Sequence, residues 1–347
     1  MTDQTQKAGD NSTNVQAGSI TINQGTSIDE VRQIAIDVFR SNFSVLAGEA
    51  KNIAQQRAEE VTENFLKRLQ TQNPLGLTQA QEPDFQHSLF VVQKEFARCG
   101  DKELGDLLVD LLVDRTKQPS RSILQIVLNE SLTVAPKLTI DQLAALSLIF
   151  TLRYTLNNSV TNRIALGDYL DLYIKPFGVL ITDKAACYQH LEYAGCGTVS
   201  LGSFELADVF KKNYGALFSR GVSIEQIQQS NISLPASARP FINCLNDSSR
   251  FQVGGLNEDS IRSMYIKQGI TEQDLVKLIN LHNNSLPTND EIAKSVITLR
   301  PYMENVFKIW TGSNIKQFNL TSIGIAIGHA NTKKLVGEFA DLSIWIN

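Results

Sequence analysis

Histidine is scarce in this chain, with four residues among 347; cysteine is as rare, and there are two tryptophans. These shortages narrow the chemistry. His87, His190, His282 and His329 are scattered, and no HExxH places two of them on one helix face around a general base, so a zinc-peptidase helix is disfavoured. No histidine closely follows an arginine in the pattern of all-helical nucleases. GxxxxGK[ST] is absent, which counts against nucleotide hydrolysis by a phosphate loop, and GxSxG is absent, which removes the nucleophile elbow. A metal nuclease built on scattered carboxylates stays open. Cys99, Cys187, Cys196 and Cys244 form no disulfide framework, so the expected setting is a reducing cytoplasm. No run approaches the roughly 20 apolar residues of a membrane span, and the N-terminus is polar, without an apolar signal region. The net charge of −4 is spread evenly, so no basic face is available for phosphate backbones, and nucleic acid is not an expected partner.

What is present begins with the stretch Ser27–Gln72. Ser27-Ile28-Asp29-Glu30 forms a capping box, with Asp29 and Glu30 at the positive end of the helix dipole. Val31, Val38, Phe39, Phe43, Leu46, Ile53, Val61 and Phe65 then recur at helical spacing, and Asn73-Pro74 and Gly76 end the run. One continuous helix of that length would span roughly 65 Å. Its apolar stripe must pack on its own body or on copies of itself, and coiled-coil-like self-association is the expectation.

Before it, Gly9–Gly25 reads GDNSTNVQAGSITINQG. Val15, Ile20 and Ile22 sit in two strand-like alternations that a single chain cannot stabilise alone. Stacked copies could form a β-layer with Asn and Gln ladders. Val15-Gln16-Ala17-Gly18 resembles the core of RIP homotypic interaction motifs and their bacterial amyloid-signalling relatives, departing from it at Ala17, where that core carries a large aliphatic. With the following Ile28-Asp-Glu-Val-Arg-Gln-Ile-Ala, the segment resembles an N-terminal module on assorted bacterial proteins, several linked to phage defence. Leu146–Tyr154 (LSLIFTLRY), Tyr214–Gly221 (YGALFSRG) and Ile323–Asn331 (IGIAIGHAN) make the remainder similar to a bacterial family of about this length with no assigned activity. The resemblance implies a fold relationship and a possible setting, and brings no catalytic residues.

Beyond a linker at 73–83, capped helical patterns of ten to sixteen residues follow one another. Thr139-Ile140-Asp141-Gln142 opens a helix apolar almost all round, the mark of a central buried element. Residues 177–204 are glycine-rich and β-branched. Asn319–His329 reads either as a strand pairing with the 198–201 region or as a helix packed closely through Gly324 and Gly328, and Leu342–Ile346 alternates as a strand.

Candidate chemistry is thin. Cys187 and His190 share a helix face and Cys196 could fold back, but the fourth zinc ligand would have to be Cys244 or His282 from afar. Packing is the preferred reading, as hydrogen bonding within the fold is for His329. Asp168, Tyr169 and Asp171 beside Lys175 read as a solvated acidic face. Arg153, ending the apolar helix, calls for a carboxylate partner if buried. Trp310 and Trp345 read as packing anchors.

The expected architecture is mainly α: a disordered polar tail at 1–12, an oligomerisation module at 13–72 (short β segment and long amphipathic, coiled-coil-like helix), a linker at 73–83, and an irregular multi-helix domain at 84–347 with a minor β element. The expected function is a self-assembling cytoplasmic interaction or scaffold protein in a bacterial antiphage or stress response, acting as a homo-oligomer without cofactor or metal. Alternatives are an enzyme with its site in 178–330, at the Gly-rich 195–202 segment or the Cys187/His190 face, and a latent membrane-active effector.

Overall fold

The computed structural model describes residues 27–43, 48–118, 120–337 and 339–346, and helices dominate them. The first, α1 (Ile28–Asn42), opens on the expected capping box. The Glu30 N–H donates to Ser27 Oγ at 3.2 Å and the Ser27 N–H to Glu30 Oε2 at 2.7 Å. The helix does not continue to Gln72. A second, α2 (Glu49–Gln72), starts after Gly48 at φ +61° and runs back along α1, so that Arg32 pairs with Glu63 and Phe39 packs with Ala54 and Ala58. The single long helix expected over 27–72 is therefore corrected to a hairpin. Folding back lets both apolar stripes bury against the chain's own helices, which removes more apolar surface from water than one rod projecting from the body could.

The expected linker at 73–83 is largely a 3-10 helix, Pro74–Gln81, with Gly76 and Ala80 buried. It leads to α3 (Pro83–Cys99), α4 (Lys102–Thr116) and α5 (Ile123–Val134). Every residue of α4 from Leu107 to Thr116 is buried, three charged side chains included. Those charges are paired: Arg68 with Asp106 and Asp110, Lys117 and Lys333 with Asp114, and Arg115 with Asp84. Charge buried within a helix bundle is tolerated only when met in this way.

The middle of the chain is built on α6 (Ile140–Arg153), the central helix the sequence predicts, buried at nearly every position from Gln142 to Leu152. Around it come α7 (Arg163–Tyr169), a π-helical stretch Leu170–Ile174, α8 (Lys175–Gly178), α9 (Ala185–Tyr193) and the short strand β1 (Gly197–Val199). Next are α10 (Leu206–Tyr214), α11 (Ile224–Gln229), the hairpin of β2 (Phe241–Asn243) and β3 (Phe251–Val253), α12 (Glu258–Ile266) and α13 (Glu272–Asn284). The chain finishes with α14 (Asn289–Leu299), α15 (Met303–Gly312), β4 (Phe318–Leu320) and α16 (Ser322–Val336).

The C-terminal segment resolves the open alternatives by using both. β4 pairs antiparallel with β1, Val199 opposite Phe318, and Thr321 then caps α16 through the Gly324 N–H. A Cβ on Gly324 would lie 1.9 Å from the Cys196 carbonyl oxygen, and one on Gly328 2.9 Å from that of Leu146. These glycines let α16 lie directly on α6 and on the β1 turn. The strand expected at 342–346 is instead a 3-10 turn, Leu342–Ile344, anchored by Trp345, whose Nε1–H donates to the Tyr154 carbonyl. α16 also packs on α4 and α5, so one apolar core runs from Val31 to Ile346. β2, β3, α12 and α13 enclose a second, smaller core around Val253, Ile261, Leu275 and Leu278.

Candidate functional site

Where the smaller core's lobe meets the main body, three arginines from distant parts of the chain line one cleft of about 530 Å³: Arg163, Arg220 and Arg250. Local structure brings them together. Arg163 is the first residue of α7. Arg220 and Arg250 are set side by side because their successors bridge: the Val222 N–H donates to Phe251 O at 2.6 Å, and the Phe251 N–H returns to Val222 O at 3.0 Å. Gly221, at φ +70°, makes that approach possible, since a Cβ there would sit 2.8 Å from Arg250 Cβ. The Asn246 amide ties the β2–β3 loop to the neighbouring turn by donating to Leu217 O at 3.0 Å and Ser219 O at 2.9 Å.

The cleft's charges do not cancel. Glu291 pairs with Arg220, and that contact, helped by Thr288, holds its carboxyl down at about 2. Asp247 is held below the ordinary carboxylate range by Ser249. Both stay ionised at neutral pH, so two carboxylates face three guanidinium groups. Arg163 donates to a neutral partner, Ser295 Oγ, at 2.9 Å. Arg250 donates through Nη2 to Gln226 Oε1 at 3.2 Å, while its Nε is buried with no hydrogen-bond partner among the described residues. A buried donor left unmade is costly, and a guanidinium fork matches carboxylate or phosphate oxygens. No histidine or cysteine lines the cleft; three guanidinium groups set the charge it presents.

Sequence reasoning missed these arginines. They lie far apart in the chain, and only Arg220 fell inside a motif singled out there, Tyr214–Gly221. The residues it did single out have other settings. Val15, Ile20, Ile22 and Leu46 lie outside the described residues. Val31, Phe39, Val61 and Phe65 are buried in the chain's own core, Val38 and Phe43 are half-buried, and Ile53 is 42% exposed.

Cys187 and Cys196 are buried, and burial pushes both thiols up to about 12, with Asp141 adding to the effect at Cys187. They stay protonated and inert. His190 Nδ1 meets the Gln142 amide, and among the described residues no three His, Cys, Asp or Glu side chains converge as metal ligands. The Gly-rich 195–202 segment is a junction, with Gly197 against the Phe318 ring and the Cys196 carbonyl against Gly324. His329 Nε2 donates to Ala340 O at 2.7 Å between Phe150, Phe339 and Trp345. Asp171 is paired with Arg300 at 2.7 Å and the Tyr302 hydroxyl at 3.0 Å, and its side chain stays 42% exposed, as Asp168 is exposed beside it. Arg153 finds no carboxylate among the described residues. Its Nη1 donates to Phe318 O at 2.6 Å and its Nη2 to Asn319 Oδ1 at 2.7 Å, with Phe204's ring 3.8 Å away. Oriented dipoles and a ring face replace the expected ion pair.

Among the described residues no helix is long and apolar enough to cross a membrane. Neither the curated proteins nor the solved structures include a match to this chain. The model of an uncharacterised protein family matches residues 25–346. That span takes in both cores and the arginine cleft, and the chain belongs to this uncharacterised family.

Proposed function

We propose that the protein is a binding module that captures a small anionic ligand in the cleft of Arg163, Arg220 and Arg250. The observation that carries this reading is the cleft's excess of guanidinium over carboxylate, with Arg163, Arg220 and Arg250 set against Asp247 and Glu291. An incoming oxyanion would take up the surplus charge. Arg250→Gln and Arg163→Gln, followed by titration calorimetry with inorganic phosphate and pyrophosphate, test it. A hydrogen bond to a charged group contributes about 1.5–3 kcal/mol, so each variant weakens binding about tenfold or more, and Arg250→Lys recovers only part of the loss because it lacks the fork. Unchanged affinity in both glutamine variants, or no binding by the native chain, refutes the reading.

A second reading, assembly through the N-terminal region, is favoured by the apolar surface left where α1 ends and α2 begins. There Phe43 stacks on Phe39 while remaining half-exposed, and Ile53 is 42% exposed. The antiphage or stress setting rests on the resemblance alone. Val38→Asp and Phe43→Asp should lower the solution mass if this surface is a seam; retention of a full oligomer in both sinks it.

A further inference from the structure

A second cleft, of about 430 Å³, adjoins the first and shares its arginine pair. Arg220 and Arg250 line both clefts, and the second is completed by Gln226, Gln229, Ser230, Asn284 and Ser285 with a little aliphatic surface from Val222 and Leu281. Its lining holds no carboxylate and no aromatic ring. The Gln229 and Asn284 amides make no hydrogen bond to other described residues. Gln226 Oε1 already accepts from the Ser223 N–H at 2.8 Å and from Arg250, which leaves its NH₂ group for a ligand.

The two clefts ask for different chemistry. One side offers guanidinium charge to an oxyanion, and the other offers planar amides, each a donor and an acceptor, to neutral polar groups. Resting on the anion-binding reading above, we infer that the ligand is a sugar phosphate, its phosphate on the Arg163 side and its hydroxyls on the amide side. Hydroxyls donate and accept at once, as the amides require. A nucleobase would want an aromatic platform to stack on, and a fatty carboxylate an apolar wall; the second cleft supplies neither.

The test is calorimetry on the full chain with ribose 5-phosphate, glucose 6-phosphate and fructose 6-phosphate, set against inorganic phosphate, free glucose and AMP. At least one sugar phosphate should bind about tenfold or more tightly than inorganic phosphate. Asn284→Ala and Gln229→Ala, both at exposed positions, should remove several-fold of that advantage while leaving affinity for inorganic phosphate unchanged. If phosphate binds and every sugar phosphate merely equals it, the ligand class is wrong and the anion site stands. If AMP binds more tightly than every sugar phosphate, the polyol assignment is overturned. If no member binds, both readings fall.

Discussion

At the scale of single residues, burial decides what the titratable groups can do. His282 and His329 are both 2% exposed, and burial holds both imidazoles below their ordinary value; Glu258 opposes this weakly at His282, and Ala340 with Asp114 does so at His329. A base whose pKa is lowered by folding is protonated first in the unfolded chain. Its stabilising share is therefore complete above about pH 6.5 and declines as the pH falls through the folded values. The urea midpoint should drop between pH 7 and pH 5, and His282→Gln should flatten that slope; an equally steep profile in the variant would exclude His282 as a source. Arg153 gives a sharper case. Arg153→Met keeps the stem but leaves Phe318 O and Asn319 Oδ1 without their donors, and should cost about 2–4 kcal/mol by chemical denaturation. A loss below about 0.5 kcal/mol would show that water replaces the guanidinium freely.

The next scale is the element, where the α1–α2 hairpin is the instructive unit. Phe65 is fully buried against Phe85 and the α3–α4 surface, not presented to another copy. Phe65→Ala should therefore destabilise the chain by about 3–5 kcal/mol while leaving its solution mass unchanged. A fall in mass with little change in stability would return the stripe to an intermolecular role. α16 shows the same dependence on close packing. A methyl group at position 324 collides with the Cys196 carbonyl, so Gly324→Ala should separate β1 from α16 and lower the thermal midpoint by several degrees, about 1–3 kcal/mol.

Across the whole molecule, α16 closes the structure by packing on α4, α5 and α6 together. Val31, Ala35, Val61, Phe65, Leu66 and Leu69 of the hairpin belong to the same core as Ile325, Ala330 and Ile346 at the other end of the chain. Removing residues 1–78 exposes the apolar faces of α3 and α4. That shorter chain should aggregate or lose its cooperative melting transition, measured by circular dichroism and light scattering. If it is instead a folded monomer, the hairpin is a detachable module and the assembly reading gains force.

Much of the local structure was legible in the residues themselves. Capping at Ser27 and Thr139 marked helix starts because cap chemistry involves residues three apart. The all-round apolar pattern of Ile140–Leu152 marked the central helix, since a helix without a polar face must be enclosed. Three features needed the tertiary structure. A break between α1 and α2 was invisible because the apolar period continues through it, and only packing energy chooses a hairpin over a rod. The charges of α4 find their partners on α2, α3 and α16, at positions that sequence spacing does not connect. The arginine cleft depends on one backbone bridge, Val222 to Phe251, which juxtaposes Arg220 and Arg250. By itself the sequence determined where helices begin and which must be buried, because those are local matters of hydrogen bonding and hydropathy; the tertiary structure alone decided which distant side chains share a site, because convergence in space leaves no trace in sequence spacing.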